Sequence, residues 1–552
     1  MIKNLKSIIL VSLAVVAGAM TSCTDKMDNW DTDSAYSRLF GAMSLSVTPF
    51  STTAIVEYKG YSGAEKYQIQ YSTRELTDEV EPYAEGTSTI EVESKEKAEL
   101  TGLAGETNYY LRIRAIAEGK NPSKWVYYTT SSGQKYFTTK GEQIMNPVED
   151  EDRGANSIRV TWFANAIVTH LLVQQAGDEE HAFDRRIDLN EEAIADGAYT
   201  ITDLKSSTGY IISIYNGDAK RGSVTTSTSA EAPKGDYEYT LGMNEDVTAD
   251  LIKEIAEDAK EAAGSETSYS ATIKIPQGST FNIVGKAEDG SAASLKIPDG
   301  MTVAFFGEGG AGANLILTKS INLAGSHAAV VFQNLDITDG GCQYIINQSA
   351  TANVAELTFE NCNIHDLERS VVRTQAAGII INKITIDNCI LTNVSSGDGY
   401  SVIQIGDAGD QVDEINISNS TVDTQKRSFI EISKLAVPRV NITNCTFYNF
   451  VQNARYFIDA NGQPTNITLE NCILGKTFTE TSRGVRYSDS GSCTATGCIR
   501  TSDCIFSSND FKAAVGLPVG DKPSTDYFVN PVGHNFTLKI DDKVGDPRWY
   551  KK

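Results

Sequence analysis

Cationic side chains are in short supply: 48 Lys and Arg stand against 72 Asp and Glu, a formal net charge of −24 over 552 residues. Such a surface repels phosphate backbones, so nucleic acid is excluded as a partner class. Histidine is scarcer still. The five, His170, His181, His327, His365 and His534, are scattered, and no Cys-x-x-Cys pair accompanies them, which removes the ligand spacing of a zinc site. Proline (13) and methionine (7) are also few, while 44 Gly, 24 Tyr and abundant Thr, Ser, Asn, Ile and Val favour strands and turns over helix bundles. After the first residues no apolar run is long enough to cross a bilayer. The length is enough for about three or four domains, and the composition predicts a mostly β chain.

The N-terminus reads as an address. Lys3 and Lys6 precede the apolar run from Ile8 to Met20, which is too short to span a membrane and ends in Thr21 and Ser22 before Cys23. Met20-Thr21-Ser22-Cys23 resembles a bacterial lipoprotein box, with Met where Leu is usual. The resemblance implies a signal peptide over 1–22, a lipid-modified Cys23 and a membrane attachment through acyl chains alone. A cleaved peptide without lipidation is the alternative. Residues 23–38 are polar and acidic and resemble the export tethers of surface lipoproteins in Gram-negative gut bacteria. That resemblance implies an outer-membrane protein facing the cell exterior.

Over 39–140 short alternating strands are separated by turn residues, as in Ala54–Tyr58 and Tyr67–Tyr71, which predicts a β-sandwich. Leu100-Thr-Gly-Leu103 followed by Thr107-Asn-Tyr109 resembles the fibronectin type III signature, with Tyr109 as the corner tyrosine that bonds back to the preceding turn. A second, shorter copy spans 141–230, with Trp162 on an early strand and Leu204 to Tyr210 as the corresponding corner. Neither copy carries a cluster of His, Cys or paired acids, so both read as spacers.

The remaining 231–552 opens with a helix over 247–263, where Leu251, Ile252, Ile255, Ala256 and Ala259 recur at helical spacing and Gly264 follows. Coils occupy about 271–510 and a tail 511–552. Within the coils a segment ending in Asn recurs at Asn334, Asn361, Asn388, Asn419, Asn444 and Asn471, spaced 27, 27, 31, 25 and 27 residues apart. Period-2 alternation sends Ile, Val, Leu and Phe inward and Thr, Glu, Asp and Asn outward, so each coil adds strands to long parallel sheets. Asn suits the left-handed turn that closes each segment, and its amide can bond to the next coil. The pattern resembles the right-handed parallel β-helix of the pectate lyase superfamily. The closing Asn530–Leu538 and Gly545–Trp549 resemble the tails of poorly characterised β-helix lipoproteins of polysaccharide-utilisation loci.

Cys362, Cys389, Cys445 and Cys472 each follow a ladder asparagine and read as stacked buried thiols, with axial bridges as the alternative. Asp503-Cys504 reads as a degenerate further rung, and a pair among Cys493, Cys498 and Cys504 is the better disulfide candidate. Gly307-Glu-Gly309-Gly310-Ala-Gly312 matches GxGxxG in letters, but a strand follows it, so it reads as a turn of the β-helix.

A second strand in each coil aligns at 369–375, 400–406, 427–433 and 455–461. If Val372, Ile403, Ile430 and Ile458 point inward, three columns point outward: Arg369, Tyr400, Arg427 and Arg455; Val371, Val402, Phe429 and Phe457; and Arg373, Gln404, Glu431 and Asp459. Guanidinium forks bind carboxylates and rings stack on sugars, so these columns predict a groove for an acidic, pectin-like polysaccharide. Pairing of the arginines with nearby acids as surface decoration is the open alternative. For catalysis the candidates are Arg373, Glu431 and Asp459. A lyase, favoured over a hydrolase, needs a base and a cation, and family resemblance implies Ca²⁺, for which Asp398, Asp407, Asp410 and Asp413 are the nearest acids. A hydrolase needs two carboxylates, and Glu431 and Asp459 sit on neighbouring coils. The reading is thus a surface lipoprotein binding an anionic glycan, partnered by outer-membrane glycan-import proteins, with uronate cleavage as the alternative and a purely structural spike as the third.

Overall fold

A computed structural model describes residues 38–551 apart from Glu179, 407–408 and 508–516. Cys23, the signal segment, nearly all of the tether and Asp407 therefore lie outside the described residues. The chain divides into two compact units, one holding most of 38–226 and the other residues 148–159, 200–208 and 227 onward.

In the first unit, one sheet joins Met43–Pro49, Thr53–Lys59 and Lys97–Thr101, and a second joins Ser88–Val92, Lys66–Ser72, Asn108–Ile116 and Val126–Tyr127, with Tyr136–Thr138 also on Asn108–Ile116. Alternation along Thr53–Lys59 buries Ala54, Val56 and Tyr58 against Tyr67, Ile69 and Ile113 of the facing sheet. The Tyr109 hydroxyl accepts a hydrogen bond from Ala104 N at 2.9 Å, tying the corner as its sequence context predicts. The second sandwich is smaller. Its main sheet runs Arg185–Asp188, His170–Gln175, Gly209–Asn216, Ala219–Ser227, and Ile158–Thr161 pairs with Ala198–Ile201. Trp162 is buried beside the short bridge to Met145. Both sandwiches are fibronectin type III-like.

The second unit is a parallel β-solenoid of three sheets with ten, nine and eight strands. Each turn passes through the first, second and third sheet in order, and every strand pairs in parallel with the one a turn later. The helix Ala249–Ala263 stands where the spacing predicts one, with residues 247–248 ahead of it forming a short strand, and it covers the open end. Thr248 Oγ1 accepts from Leu251 N at its start, Gly264 at φ 62° ends it, and Ile252, Ile255, Ala256 and Ala259 are buried in the solenoid core. The first sheet begins ahead of this helix, with Tyr237–Thr240 paired to Tyr269–Ile275, a strand that the sequence pattern does not mark. Four residues are too few for alternation to register.

All six ladder asparagines have φ between 48° and 57°, the left-handed turn that ends each first-sheet strand. Their amides run up the solenoid: Asn361 donates to Asn334 at 2.9 Å, Asn388 to Asn361 at 3.0 Å, Asn444 to Asn419 at 3.0 Å and Asn471 to Asn444 at 2.7 Å. Asn419 departs from the row and donates to Asp387 instead, at 2.8 Å. Inside, Phe305, Phe332 and Phe359 stack with centroids 5.3 and 4.9 Å apart. Each such ring, fully buried, contributes about 1.5–3 kcal/mol.

The thiols stack as expected. Cys362, Cys389, Cys445 and Cys472 are buried, and each donates to the carbonyl two residues back at 3.2–3.3 Å. Two expectations are corrected. All eight described cysteines are free, including Cys493, Cys498 and Cys504. The further rung is Gly497-Cys498, not Asp503-Cys504: Cys472 N donates to Cys498 Sγ just as Cys362 N donates to Cys389 Sγ. Gly supplies there the left-handed turn (φ 66°) that Asn supplies elsewhere, which hid the rung from a search for Asn-Cys. The GxGxxG stretch does form a turn, closing strand Met301–Gly307 and leading into strand Ala313–Leu317. Past the last coils, Phe528, Phe536, Leu538 and Val544 of the tail pack on Tyr448 and Ile473, on the outer face of the second sheet.

Candidate functional site

The third sheet carries the predicted columns, and its register can be followed strand by strand. Asn347, Arg373, Gln404, Glu431, Asp459 and Arg486 occupy equivalent positions on Ile346–Gln348, Val372–Thr374, Ile403–Ile405, Ile430–Ile432, Tyr456–Ala460 and Arg483–Arg486. Their neighbours Ile346, Val372, Ile403, Ile430, Ile458 and Val485 are fully buried or nearly so, so this row faces outward.

The middle column does not face outward. Val371, Val402, Phe429 and Phe457 are each 0% exposed, and the Phe429 and Phe457 rings stack at 6.1 Å inside the solenoid beside Phe447. Phe429 and Phe457 are therefore core residues and offer no sugar platform. These residues stand where the chain enters the strand, and two consecutive side chains turn inward there, so alternation cannot be extended back past residues 372 and 430.

Most of the arginines are engaged. Arg427 forks onto Glu431 at 2.8 and 3.2 Å, in a pair whose side chains are 19% and 17% exposed, and Arg486 forks onto Asp459 with two bonds of 2.7 Å. Arg455 Nε lies 3.7 Å from Asp398. Burial pushes the Glu431 carboxyl up, but Arg427 and the 2.8 Å bond from Ser401 Oγ outweigh it and hold the group below its ordinary value. A carboxylate so held is a poor proton donor, and Asp459 is likewise tied to a guanidinium. The pair lacks the split between an acid and a free base that a hydrolase needs.

At the other end the balance differs. Arg369 lies 4.9 Å from the Tyr400 ring centroid and 5.3 Å from that of Tyr344, and Arg373 lies 4.6 and 5.4 Å from the same two rings. Both guanidiniums donate to the Tyr344 hydroxyl, at 2.7 and 3.3 Å, and the two rings meet edge to face at 5.5 Å. Arg369 has Glu368 at 3.8 Å. The remaining bond of Arg373 goes to a neutral acceptor, Gln375 Oε1 at 2.7 Å, and no described carboxylate lies within ion-pair distance of it. Two like charges converge on one phenol oxygen and stack on aromatic faces, an arrangement whose remaining guanidinium donors are of the kind that can take a carboxylate or sulfate.

Tyr344 and Asn347 were missed by sequence reading. The strand Ile346–Gln348 lies one coil before the first aligned segment, and Gln343 stands where Arg369 and Arg427 stand later, so the signature residue is absent from that coil.

The acids considered for calcium do not converge. Asp398 faces Arg455, Asp410 accepts from Ile379 N at 3.1 Å, and Asp413 is held by Asn382 and Gln411 at 2.8 and 2.9 Å. Asp407 lies outside the described residues, and among the described residues no group of three His, Cys, Asp or Glu is arranged to hold a metal ion.

Residues 440–549 match a family model described as a domain of unknown function (DUF5123), which takes in the last coils and most of the tail. No curated protein matches the chain in sequence. Among solved structures, a two fibronectin type-III domain segment of chicken tenascin is similar at 15% identity, covering 34% of this chain and 99% of that one, with a TM-score of 0.23. The FN1–FN3 domains of chicken CNTN1 are similar at 12% identity, covering 36% and 70%, with a TM-score of 0.15.

Proposed function

We propose that this protein is a cell-surface lipoprotein, anchored through Cys23, whose β-solenoid binds an anionic, pectin-like polysaccharide at the third sheet and serves a glycan-import system of the outer membrane. The observation that carries the reading is the Arg369–Arg373 pair on Tyr344 and Tyr400, a positive site on a chain of net charge −24. In so anionic a protein a local cationic patch is the feature that admits an acidic ligand at all. The two sandwiches act as spacers between anchor and solenoid. Uronate cleavage is the second reading, and Arg373 favours it because a cation without a carboxylate partner can steady the charge that develops when a proton leaves beside a uronate carboxyl.

Soluble protein lacking residues 1–23, incubated with pectic and glycosaminoglycan panels with and without calcium, separates these readings. Retarded migration in glycan gels without unsaturated products or new reducing ends supports binding. Product that disappears in Arg373→Ala supports a lyase, and neither retardation nor product contradicts both.

A further inference from the structure

We infer that the site recognises a single acidic sugar of a bound glycan through its carboxylate and meets the sugars on either side through their hydroxyls, so that further carboxylates add little affinity. The inference rests on the binding reading above and sharpens its ligand.

Uncompensated charge along the outward row is confined to one end. Among the described residues Arg373 has no carboxylate partner, and Arg369 beside it has one at 3.8 Å. The positions on either side of Arg373 are the neutral amides Asn347 and Gln404, which suit hydroxyls. Among the described residues the Gln404 amide nitrogen has no protein acceptor, its oxygen taking Ser401 N at 3.2 Å. Beyond Gln404, Arg427 is forked onto Glu431 and Arg486 onto Asp459, while Arg455 has Asp398 at 3.7 Å, the same loose pairing that Arg369 has with Glu368. A second uronate at Arg427 or Arg486 would have to displace a bidentate carboxylate from its arginine and leave it unpaired, at a cost that exceeds the gain.

An internal comparison makes the same point. Tyr456 with Arg483 and Arg486 repeats the arrangement of Tyr344 with Arg369 and Arg373, with guanidiniums 5.3 and 4.4 Å from the ring. There Arg486 carries the Asp459 carboxylate in a two-bond fork, so the second copy of the motif is self-satisfied. It lies four strands along from Arg373, roughly 19 Å away at ordinary strand spacing.

The test uses galacturonate heptasaccharides that are fully methyl-esterified or carry one, two, four or seven free carboxyls, titrated calorimetrically into the soluble protein. The expected result is that the single-acid chain binds, that the fully esterified one is at least about tenfold weaker, and that going from one acid to seven improves the dissociation constant by less than about tenfold. Affinity that rises by more than about tenfold from one acid to four would overturn the inference while leaving acidic-glycan binding intact. No binding by any heptasaccharide would overturn both.

Discussion

Arg548 donates from Nη2 to Asn388 Oδ1 at 2.8 Å, across 160 residues of sequence, at the one place where the asparagine ladder misses a bond. Asn419, which would fill that acceptor, follows the 31-residue coil and turns to Asp387. The tail thus completes the ladder. Its anchor is Asp546, which is 1% exposed, accepts from Thr421 Oγ1 at 2.7 Å and pairs with Arg548. Trp549 Nε1 donates to the same Thr421 hydroxyl at 2.8 Å.

Arg548→Met removes the ladder bond and strips a buried carboxylate of its partner. We expect a loss of about 2–4 kcal/mol in urea unfolding, with Asp546→Asn/Arg548→Met costing less than the single change because no lone charge remains.

His365 sits between two carboxylates, with Nε2 2.8 Å from Asp336 and Nδ1 2.9 Å from Asp366. Burial alone would lower its pKa, but the bonds to Asp366 and Asp336 together raise it above the ordinary value. A raised folded-state pKa favours folding fully below about 6.5, the ordinary histidine value, and the benefit is lost as pH rises through the folded value. Stability measured by urea midpoint should fall across that window in the native protein, and the His365→Gln variant should lack this component of the fall.

The thiol column accepts one kind of replacement. Ser420 already stands in it, taking Cys389 N at 2.9 Å and donating to Ser418 O at 2.5 Å. Cys389→Ser should therefore cost less than about 1.5 kcal/mol, and Cys389→Leu about 1–3 kcal/mol through overpacking, both read from thermal unfolding. Burial raises the Cys389 and Cys472 thiols well above their ordinary value, so both should resist a thiol reagent until denaturant is added.

Much of this architecture is legible in the sequence because a solenoid repeats its evidence: six Asn-terminated segments place the first sheet and its corners, and parity places Arg373, Gln404, Glu431 and Asp459 on the outer face. What parity cannot see is a corner, and so it places Phe429 and Phe457 on the wrong side. Charge pairing is hidden for a related reason. Arg427 with Glu431 and Arg369 with Glu368 are close in sequence and belong to the pairing that sequence offers as the alternative, but Arg455 and Asp398, or Arg486 and Asp459, meet only because coils stack. Tyr344 belongs to a coil whose first position is Gln343, and its two arginines come from the next coil along.

The most direct test is calorimetric titration of polygalacturonate into the native protein and Arg373→Ala, with unfolding followed in parallel. The account predicts binding weakened by at least about tenfold in the variant, with an unfolding midpoint within about 2 °C of the native one. Equal affinity for the two proteins would contradict it.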